Sequence, residues 1–329
     1  MRLRKCVLML FTMILAIALV LPWNSGAQSN QPPQKASGQG DPQQPIRVEV
    51  SLVNLFATVR DHSKKIVPNL SKEEFRIMED GVEQKIAAFS HEAALPVTLA
   101  LLIDTSGSEE ALLGAEQEAA SRFLGRVLRK GDLAMVMSFD LDVDLLADFT
   151  DNRSTLDRAI HRAKINTGGG GHQGPIAQRG PIGTNLYDAV YLACHEKLVE
   201  EAGRKALVIL TDAEDNGSKL RLEEAIEAAQ RTDSVIHVLL IGDRWHYGTN
   251  PGVANKMANE TGGRMIEVSS EKKLEQAFDE ISQELRSQYT LGYYPSNRAH
   301  DGAFRKVKVE TPGKEFKVLT RRGYYAPKN

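Results

Sequence analysis

Between residues 96 and 288, apolar segments of strand length alternate with segments whose apolar residues recur every three or four positions. The first pattern is typical of buried strands and the second of amphipathic helices. The predicted strands are Val97–Ile103, Leu133–Phe139, Val143–Phe149, Ala206–Leu210, Val235–Ile241 and Met265–Val268. The predicted helices are Glu109–Lys130, Ser154–Lys164, Leu186–Glu200, Leu220–Gln230, Val253–Glu260 and Lys272–Arg286. This alternation predicts a doubly wound, Rossmann-like α/β fold, in which helices cover both faces of a mostly parallel sheet.

The segments on either side of this region have the character of β-structure. Residues 46–95 begin with alternating apolar and charged residues, and Asp80-Gly81 predicts a hairpin between Phe75–Glu79 and Gln84–Phe89. Residues 289–329 contain the predicted strands Tyr289–Tyr294, Phe304–Val309 and Phe316–Thr320. Because short β-segments are rarely stable alone, we predict that both pack together as one small β-sandwich-like domain. The α/β domain, residues 96–288, would then be inserted into it.

The amino-terminal residues predict export. Arg2, Arg4 and Lys5 precede an apolar run and a small-residue stretch ending at Ala27, which is the layout of a secretory signal peptide over residues 1–27. The alternative is an uncleaved anchor, and only in that case do we expect membrane association. Residues 28–45, rich in Gln, Pro, Ser and Gly, predict a disordered linker. The mature protein is therefore expected in the periplasm, on the cell surface or in the medium.

Charge and cysteine content narrow the class further. Removal of residues 1–27 takes away three positive charges and no negative ones, which changes the formal net charge from −2 to −5. A mildly acidic chain lacks the basic surface of nucleic-acid-binding proteins, so we predict no nucleic-acid partner. Only Cys194 would remain after cleavage, which excludes an intrachain disulfide. Its apolar helical surroundings predict a packed thiol rather than a nucleophile.

Oxygen-bearing side chains follow two of the predicted strands. The strand at Leu99–Ile103 stops at Asp104, and Ser106 and Ser108 follow; the strand at Ala206–Leu210 is followed by Asp212. Thr184 opens a helix after a glycine-rich loop. If the two strands are neighbours, these groups meet beyond their carboxyl ends, where α/β sheets bind ligands. Such oxygen ligands suit hard cations, so we predict a site for Mg²⁺ or Mn²⁺, and Ca²⁺ also fits.

These residues resemble a known family. Asp104-Thr105-Ser106-Gly107-Ser108, Thr184 and Asp212 match the DxSxS…T…D pattern of the von Willebrand factor A domain, which has the integrin I-type fold. The resemblance covers residues 96–288. The flanking segments, including residues 288–294 and 322–325, look like those of a bacterial exported subfamily of VWFA-related proteins.

The resemblance implies a metal-ion-dependent adhesion site. Ser106 and Ser108 would bind the cation directly, and Thr184 directly or through water. Asp104 and Asp212 would act largely through water and through hydrogen bonds to the serines. A cation held mainly by neutral hydroxyls keeps much of its charge, so it would bind a Glu or Asp carboxylate of a protein partner. We therefore predict an exported, adhesion-type binding module that is not an enzyme and has neither catalytic residues nor an organic cofactor site.

Each candidate residue also has a purely structural interpretation. Ser106 with Glu109 could form a capping box, Thr184 could cap a helix, and Asp212 could be a turn residue. Ala213 stands where the resembled family often has Gly, and Glu109 and Glu110 add negative charge beside Ser108.

Two other functions are compatible with this sequence. One is a Mg²⁺-dependent phosphatase or phosphotransferase, although such enzymes generally need a second Asp at the position that Ser106 occupies. The other is a metal-free scaffold that keeps only the fold. A further expectation concerns the helix Lys272–Arg286, which leads into the terminal β-segment and would couple it to the α/β domain.

Overall fold

The computed structural model describes residues 52–91, 95–110, 112–165, 183–242, 248–313 and 315–328. The strands are β1 (Val53–Arg60), β2 (Arg76–Glu79), β3 (Val82–Gln84), β4 (Ile86–Ser90), β5 (Val97–Asp104), β6 (Leu133–Phe139), β7 (Val143–Thr150), β8 (Arg204–Thr211), β9 (Ser234–Ile241), β10 (Met265–Val268), β11 (Tyr289–Tyr293), β12 (Phe304–Glu310), β13 (Lys317–Leu319) and β14 (Gly323–Tyr325). The helices are α1 (Leu113–Val127), α2 (Arg153–Ile160), α3 (Leu186–Leu192), α4 (Leu222–Arg231), α5 (Pro251–Thr261) and α6 (Glu271–Arg286). The predicted signal peptide, the predicted linker and the glycine-rich segment at residues 166–182 lie outside the described residues.

A six-stranded sheet forms the centre of the molecule, in the order β10-β9-β8-β5-β6-β7. All neighbouring strands are parallel except β6 and β7, which are antiparallel. Helices α1, α2 and α6 pack on one face and α3, α4 and α5 on the other, which explains why every residue of β5 is buried. The predicted α/β fold class is confirmed.

Strands from both sides of this α/β region pair with one another in two further sheets. One has the order β13-β1-β11-β4 and the other β14-β12-β2-β3, and each has four strands. Strand β1 pairs antiparallel with β11, from Val53 opposite Tyr293 to Ala57 opposite Tyr289. The buried rings of these two tyrosines lie in the core that both sheets share. Among the described residues, no helix is both long enough and apolar enough to cross a bilayer.

The predicted hairpin at Asp80-Gly81 is present, but its second strand is divided between the two sheets. Both turn residues have positive φ, 47° and 85°, as a two-residue hairpin turn requires. Strand β3 pairs with β2, whereas β4 pairs with β11 in the other sheet. The single predicted strand Gln84–Phe89 is therefore wrong: the chain changes sheets at Lys85. Strand β14 was also not predicted; it is only three residues long.

Two predicted helices differ from the observed ones. The helix predicted from Glu109 begins only at Leu113, because a short 3₁₀ turn, Gly107–Glu109, comes first. The backbone of Ser106 is extended there, and its N–H donates to the Asp104 carboxylate instead of joining a helix. The helix predicted over Leu186–Glu200 ends at Leu192 and continues as a π-helical turn and a 3₁₀ turn.

A buried ion cluster joins α6 to the rest of the molecule. The Glu284 carboxylate, near the end of α6, accepts a hydrogen bond from the guanidinium of Arg60 on β1 and forms an ion pair with Arg264 just before β10. At the same end of α6, Arg204 donates to the carbonyl of Leu285 over 2.6 Å. These contacts tie the last helix to the terminal sheets and to the central sheet.

Candidate metal site

Strands β5 and β8 are hydrogen-bonded neighbours in the central sheet, with Ile103 opposite Leu210. Asp104 is the last residue of β5, and Asp212 directly follows β8. Because parallel strands end at the same edge of a sheet, both carboxylates lie at its carboxyl edge. The two strands are neighbours, as the predicted meeting of these side chains requires.

Asp104 is completely buried and is held by two hydrogen bonds. Its Oδ1 accepts from the Ser106 N–H over 2.9 Å, and its Oδ2 accepts from the Thr211 hydroxyl over 2.6 Å. Burial raises the pKa of Asp104 to about 7, although these hydrogen bonds act in the opposite direction. Thr211 is a positioning residue that the sequence analysis did not identify. The carboxylate is thus oriented before any ligand binds.

The two serine hydroxyls face each other, with their Oγ atoms 2.9 Å apart. Ser106 is buried and Ser108 is half-buried. Ser106 stands at the start of the 3₁₀ turn, but its side chain makes no capping hydrogen bond there. The capping-box interpretation with Glu109 is therefore wrong. Both hydroxyls remain available as oxygen ligands.

Asp212 is buried beside this pair. Its Oδ1 accepts from the Glu214 N–H over 2.9 Å, as in the turn interpretation, but its carboxylate also accepts from the Ser108 hydroxyl. Burial raises its pKa against both of these bonds. Ala213, between Asp212 and Glu214, has a φ of 61°, in the left-handed region. The resembled family's Gly would adopt that conformation without strain.

Thr184 is buried just before α3, whose N-cap is Asn185, so Thr184 is not the helix cap. Its N–H donates to the Asn216 side chain over 2.8 Å. Its carbonyl accepts from the N–H groups of Asn216 and Gly217, each over 3.2 Å. These bonds attach Thr184 to the loop that follows Asp212.

Glu109 also belongs to this group of side chains, although the sequence analysis did not place it there. Carboxylate oxygens of Asp104, Glu109 and Asp212 lie within 4.8 Å of one another, close enough to hold one metal ion. Glu109 is fully buried, and its carboxyl has no hydrogen-bonding neighbour among the described residues except the carboxyl of Glu116. The only signal in the sequence is that Glu109 directly follows Ser108, where a glutamate is ordinarily interpreted as an exposed residue of a first helical turn.

The electrostatic environment of the group is strongly negative. Glu116, on the first turn of α1, is buried as well, and its carboxyl shares a hydrogen bond with that of Glu109. Burial raises the pKa of Glu109 and of Glu116 well above the ordinary value, and the Asp104 carboxylate acts in the same direction on both. Buried carboxylates without a counter-charge fit a bound cation, which would compensate them. The oxygen-only donor set fits a hard divalent ion.

Cys194 is a packed thiol, as predicted. It is fully buried in the core that α3 shares with the central sheet. Burial raises its pKa to about 12, so the thiol stays protonated at neutral pH. It therefore contributes no nucleophile.

Residues 99–215 match the family model of the von Willebrand factor type A domain. No curated protein matches the chain significantly. Proximal thread matrix protein 1 from the mussel byssus has a TM-score of 0.50 and 16% identity, over 63% of this chain and 51% of that one. BatB from Bacteroides thetaiotaomicron has 20% identity and a TM-score of 0.46, and the match covers 58% of this chain and 100% of BatB. A von Willebrand factor type A protein from Catenulispora acidiphila has 12% identity and a TM-score of 0.48, and the match covers 87% of this chain and 75% of that one. The match thus spans about half of the mussel protein, and at that identity it shows a shared fold.

Proposed function

We propose that a divalent cation bound beyond β5 and β8, within the region that matches the von Willebrand factor type A family model, captures an acidic group of a protein partner. The observation that carries this proposal is the meeting of two strand-end carboxylates, Asp104 and Asp212, with two serine hydroxyls 2.9 Å apart. All of these groups are oxygen ligands at one edge of the sheet, which is the donor set that Mg²⁺ and Mn²⁺ prefer.

Each residue has a distinct role in this proposal. The hydroxyls of Ser106 and Ser108 bind the cation, and Thr184 adds an oxygen from the opposite segment. Asp104 and Asp212 orient the serines, since one accepts from the Ser106 N–H and the other from the Ser108 hydroxyl. Such hydrogen-bonded carboxylates fix the direction of a metal ligand and tune its charge. The bound cation supplies an electrophilic position for an anionic oxygen.

The site is accessible from solvent on one side. Ser108 is half-buried. Gly107, just before it, and Glu110, two residues after it, are exposed. A partner's Glu or Asp side chain can therefore approach the cation from this rim. We propose a binding role without catalysis, because the position two residues after Asp104 is a serine and not a second carboxylate.

Export and domain organisation are part of the same proposal. A partner-binding site of this kind suits a protein carried out of the cytoplasm by a signal peptide at residues 1–27, followed by the linker at 28–45. We propose that the α/β domain occupies residues 96–288 and that residues 46–95 and 289–329 form the second domain. The antiparallel pairing of β1 with β11 and of β2 with β12 supports this organisation.

Calorimetric titration of the purified protein with Mg²⁺ and with Mn²⁺ tests the metal site. We expect saturable one-site binding that is lost in the double variant Ser106→Ala, Ser108→Ala. The control Ser154→Ala changes an exposed serine at the start of α2 and should bind as the wild type does. Equal binding by the double variant, or no binding by the folded wild-type protein, would contradict the proposal.

The partner class requires a second assay. With the protein immobilised, we expect a glutamate-rich peptide to be retained in Mg²⁺ and released by EDTA. The matched glutamine-rich peptide should not be retained in either buffer. Retention of both peptides, or retention that persists in EDTA, would exclude capture through the cation.

A further inference from the structure

Glu109 is a buried acidic side chain whose place in the fold is otherwise unexplained. It is 0% exposed, and the one hydrogen-bonding neighbour of its carboxyl among the described residues is the Glu116 carboxyl, which brings no positive charge. Its backbone is fixed by the 3₁₀ turn: the Glu109 N–H donates to the Ser106 carbonyl over 3.1 Å, and its carbonyl accepts from Leu112 over 3.0 Å. The turn that presents the serines therefore also holds this carboxylate in place.

The Glu109 carboxylate is directed at the candidate metal site. One of its oxygens lies within 4.8 Å of carboxylate oxygens of both Asp104 and Asp212. A carboxyl group in a protein interior is costly to ionise unless a positive charge compensates it. The Glu116 carboxyl gives Glu109 a hydrogen bond but no counter-charge. A cation bound beside Glu109 supplies that charge directly.

We propose that Glu109 is a direct ligand of the bound cation, which adds one carboxylate to the two serine hydroxyls while Asp104 and Asp212 keep their orienting roles. This inference rests on the proposed function and deepens it. The number of charged ligands tunes the affinity of a hard-cation site, so Glu109 makes cation binding tighter than the hydroxyls alone would. It also neutralises part of the cation's charge, and a partner's carboxylate must therefore compete with it.

Two nearby glutamates provide matched controls. Glu116 has the same side chain, is equally buried and shares a hydrogen bond with Glu109, but it lies outside the group of three. Glu110 is the next residue along the chain and is exposed. A general effect of negative charge on cation affinity would appear in Glu116→Gln as well, whereas ligation is specific to Glu109.

The experiment is calorimetric titration of wild type, Glu109→Gln, Glu116→Gln and Glu110→Gln with Mn²⁺. We expect Glu109→Gln to weaken Mn²⁺ binding by at least about tenfold, Glu116→Gln by less than about threefold, and Glu110→Gln to leave it unchanged. Thermal unfolding in EDTA and in Mn²⁺ is the second readout. Because the substitution removes a metal ligand, Mn²⁺ should raise the unfolding temperature of Glu109→Gln less than it raises that of wild type.

The outcomes separate this inference from the proposed function. Wild-type binding with an unchanged Mn²⁺ affinity in Glu109→Gln would overturn the ligand assignment and leave the serine-based site standing. Equal weakening in Glu109→Gln and Glu116→Gln would also overturn it, in favour of general electrostatics. No Mn²⁺ binding by the folded wild-type protein would overturn both proposals.

Discussion

The buried cluster at Glu284 allows the sharpest stability prediction. Glu284 is 1% exposed, and its carboxylate forms ion pairs with the guanidiniums of Arg60 and Arg264. The change Glu284→Gln keeps the size of the side chain and removes its charge. Both guanidiniums then lose the carboxylate that compensates them, and Arg60 itself is buried.

The magnitude follows from burial. Removing one partner of a buried ion pair costs about 3–5 kcal/mol, because an uncompensated charge remains in the interior. Arg264 keeps a second carboxylate, Glu280, at 2.8 Å, so most of the loss is at Arg60. We therefore expect Glu284→Gln to lower the free energy of unfolding by about 3 kcal/mol. The change should also loosen the attachment of α6 to β1.

The assay is urea-induced unfolding followed by circular dichroism, with Glu280→Gln as the matched control. Glu280 lies on the same helix and pairs with the same arginine, but its side chain is 47% exposed. Exposed pairs contribute about 0–1 kcal/mol, so the control should lose no more than that. If the free energies of unfolding lost by the two variants differ by less than about 1 kcal/mol, the ion cluster at Glu284 does not stabilise the fold as a buried ion pair would.

Three other predictions concern pH, reactivity and backbone conformation. Burial raises the pKa of Asp104 to about 7, so between pH 5 and 7 this side chain keeps a proton in the folded, metal-free protein that it loses in the unfolded chain. The contribution of Asp104 to the free energy of unfolding in EDTA should therefore fall by about 1.4 kcal/mol per pH unit over that range. Urea unfolding should show a shallower fall in Asp104→Asn and in saturating Mg²⁺, and parallel curves would contradict this. Cys194 should not react with a thiol reagent in the native protein but should react in urea, and peptide mapping can identify the labelled residue. Labelling of Cys194 in the native protein would contradict its burial. Gly262→Ala should destabilise by about 2 kcal/mol or more in urea unfolding, since φ is 89° and a Cβ would lie 2.5 Å from the Arg321 nitrogen. In contrast, Gly125→Ala in α1, where the added Cβ meets nothing within 4 Å, should stabilise by about 1 kcal/mol.

The sequence was sufficient to predict the strands of the central sheet because its inner strands are buried on both faces. In Val97–Ile103, for example, every residue but Thr98 is apolar, and apolar residues recur every three to four positions in the helices between the strands. The carboxyl ends of parallel strands share one edge, so Asp104 and Asp212 were predicted to meet if their strands are neighbours. The strand order, which comes from the structure, meets that condition.

The sequence was not sufficient where tertiary contacts override local pattern. Gln84 at the end of β3 and Ile86 at the start of β4 are both buried, although the two strands belong to different sheets. Buried residues two positions apart are also what one continuous strand would show, so the alternation does not reveal the change of sheet. Likewise, α1 starts late because the Asp104 carboxylate accepts from the Ser106 N–H. Glu109 went unrecognised because a local pattern does not show that its carboxylate lies close to that of Asp212, a residue far away in sequence.

The most direct test of the central claim is a crystal structure of the protein soaked in Mn²⁺, with data collected for anomalous scattering. The account predicts one strong anomalous peak beyond the ends of β5 and β8, within coordination distance of oxygens from Ser106, Ser108 and Glu109. An anomalous peak at another place in the fold, or an empty site in crystals of protein that binds Mn²⁺ in solution, would contradict it.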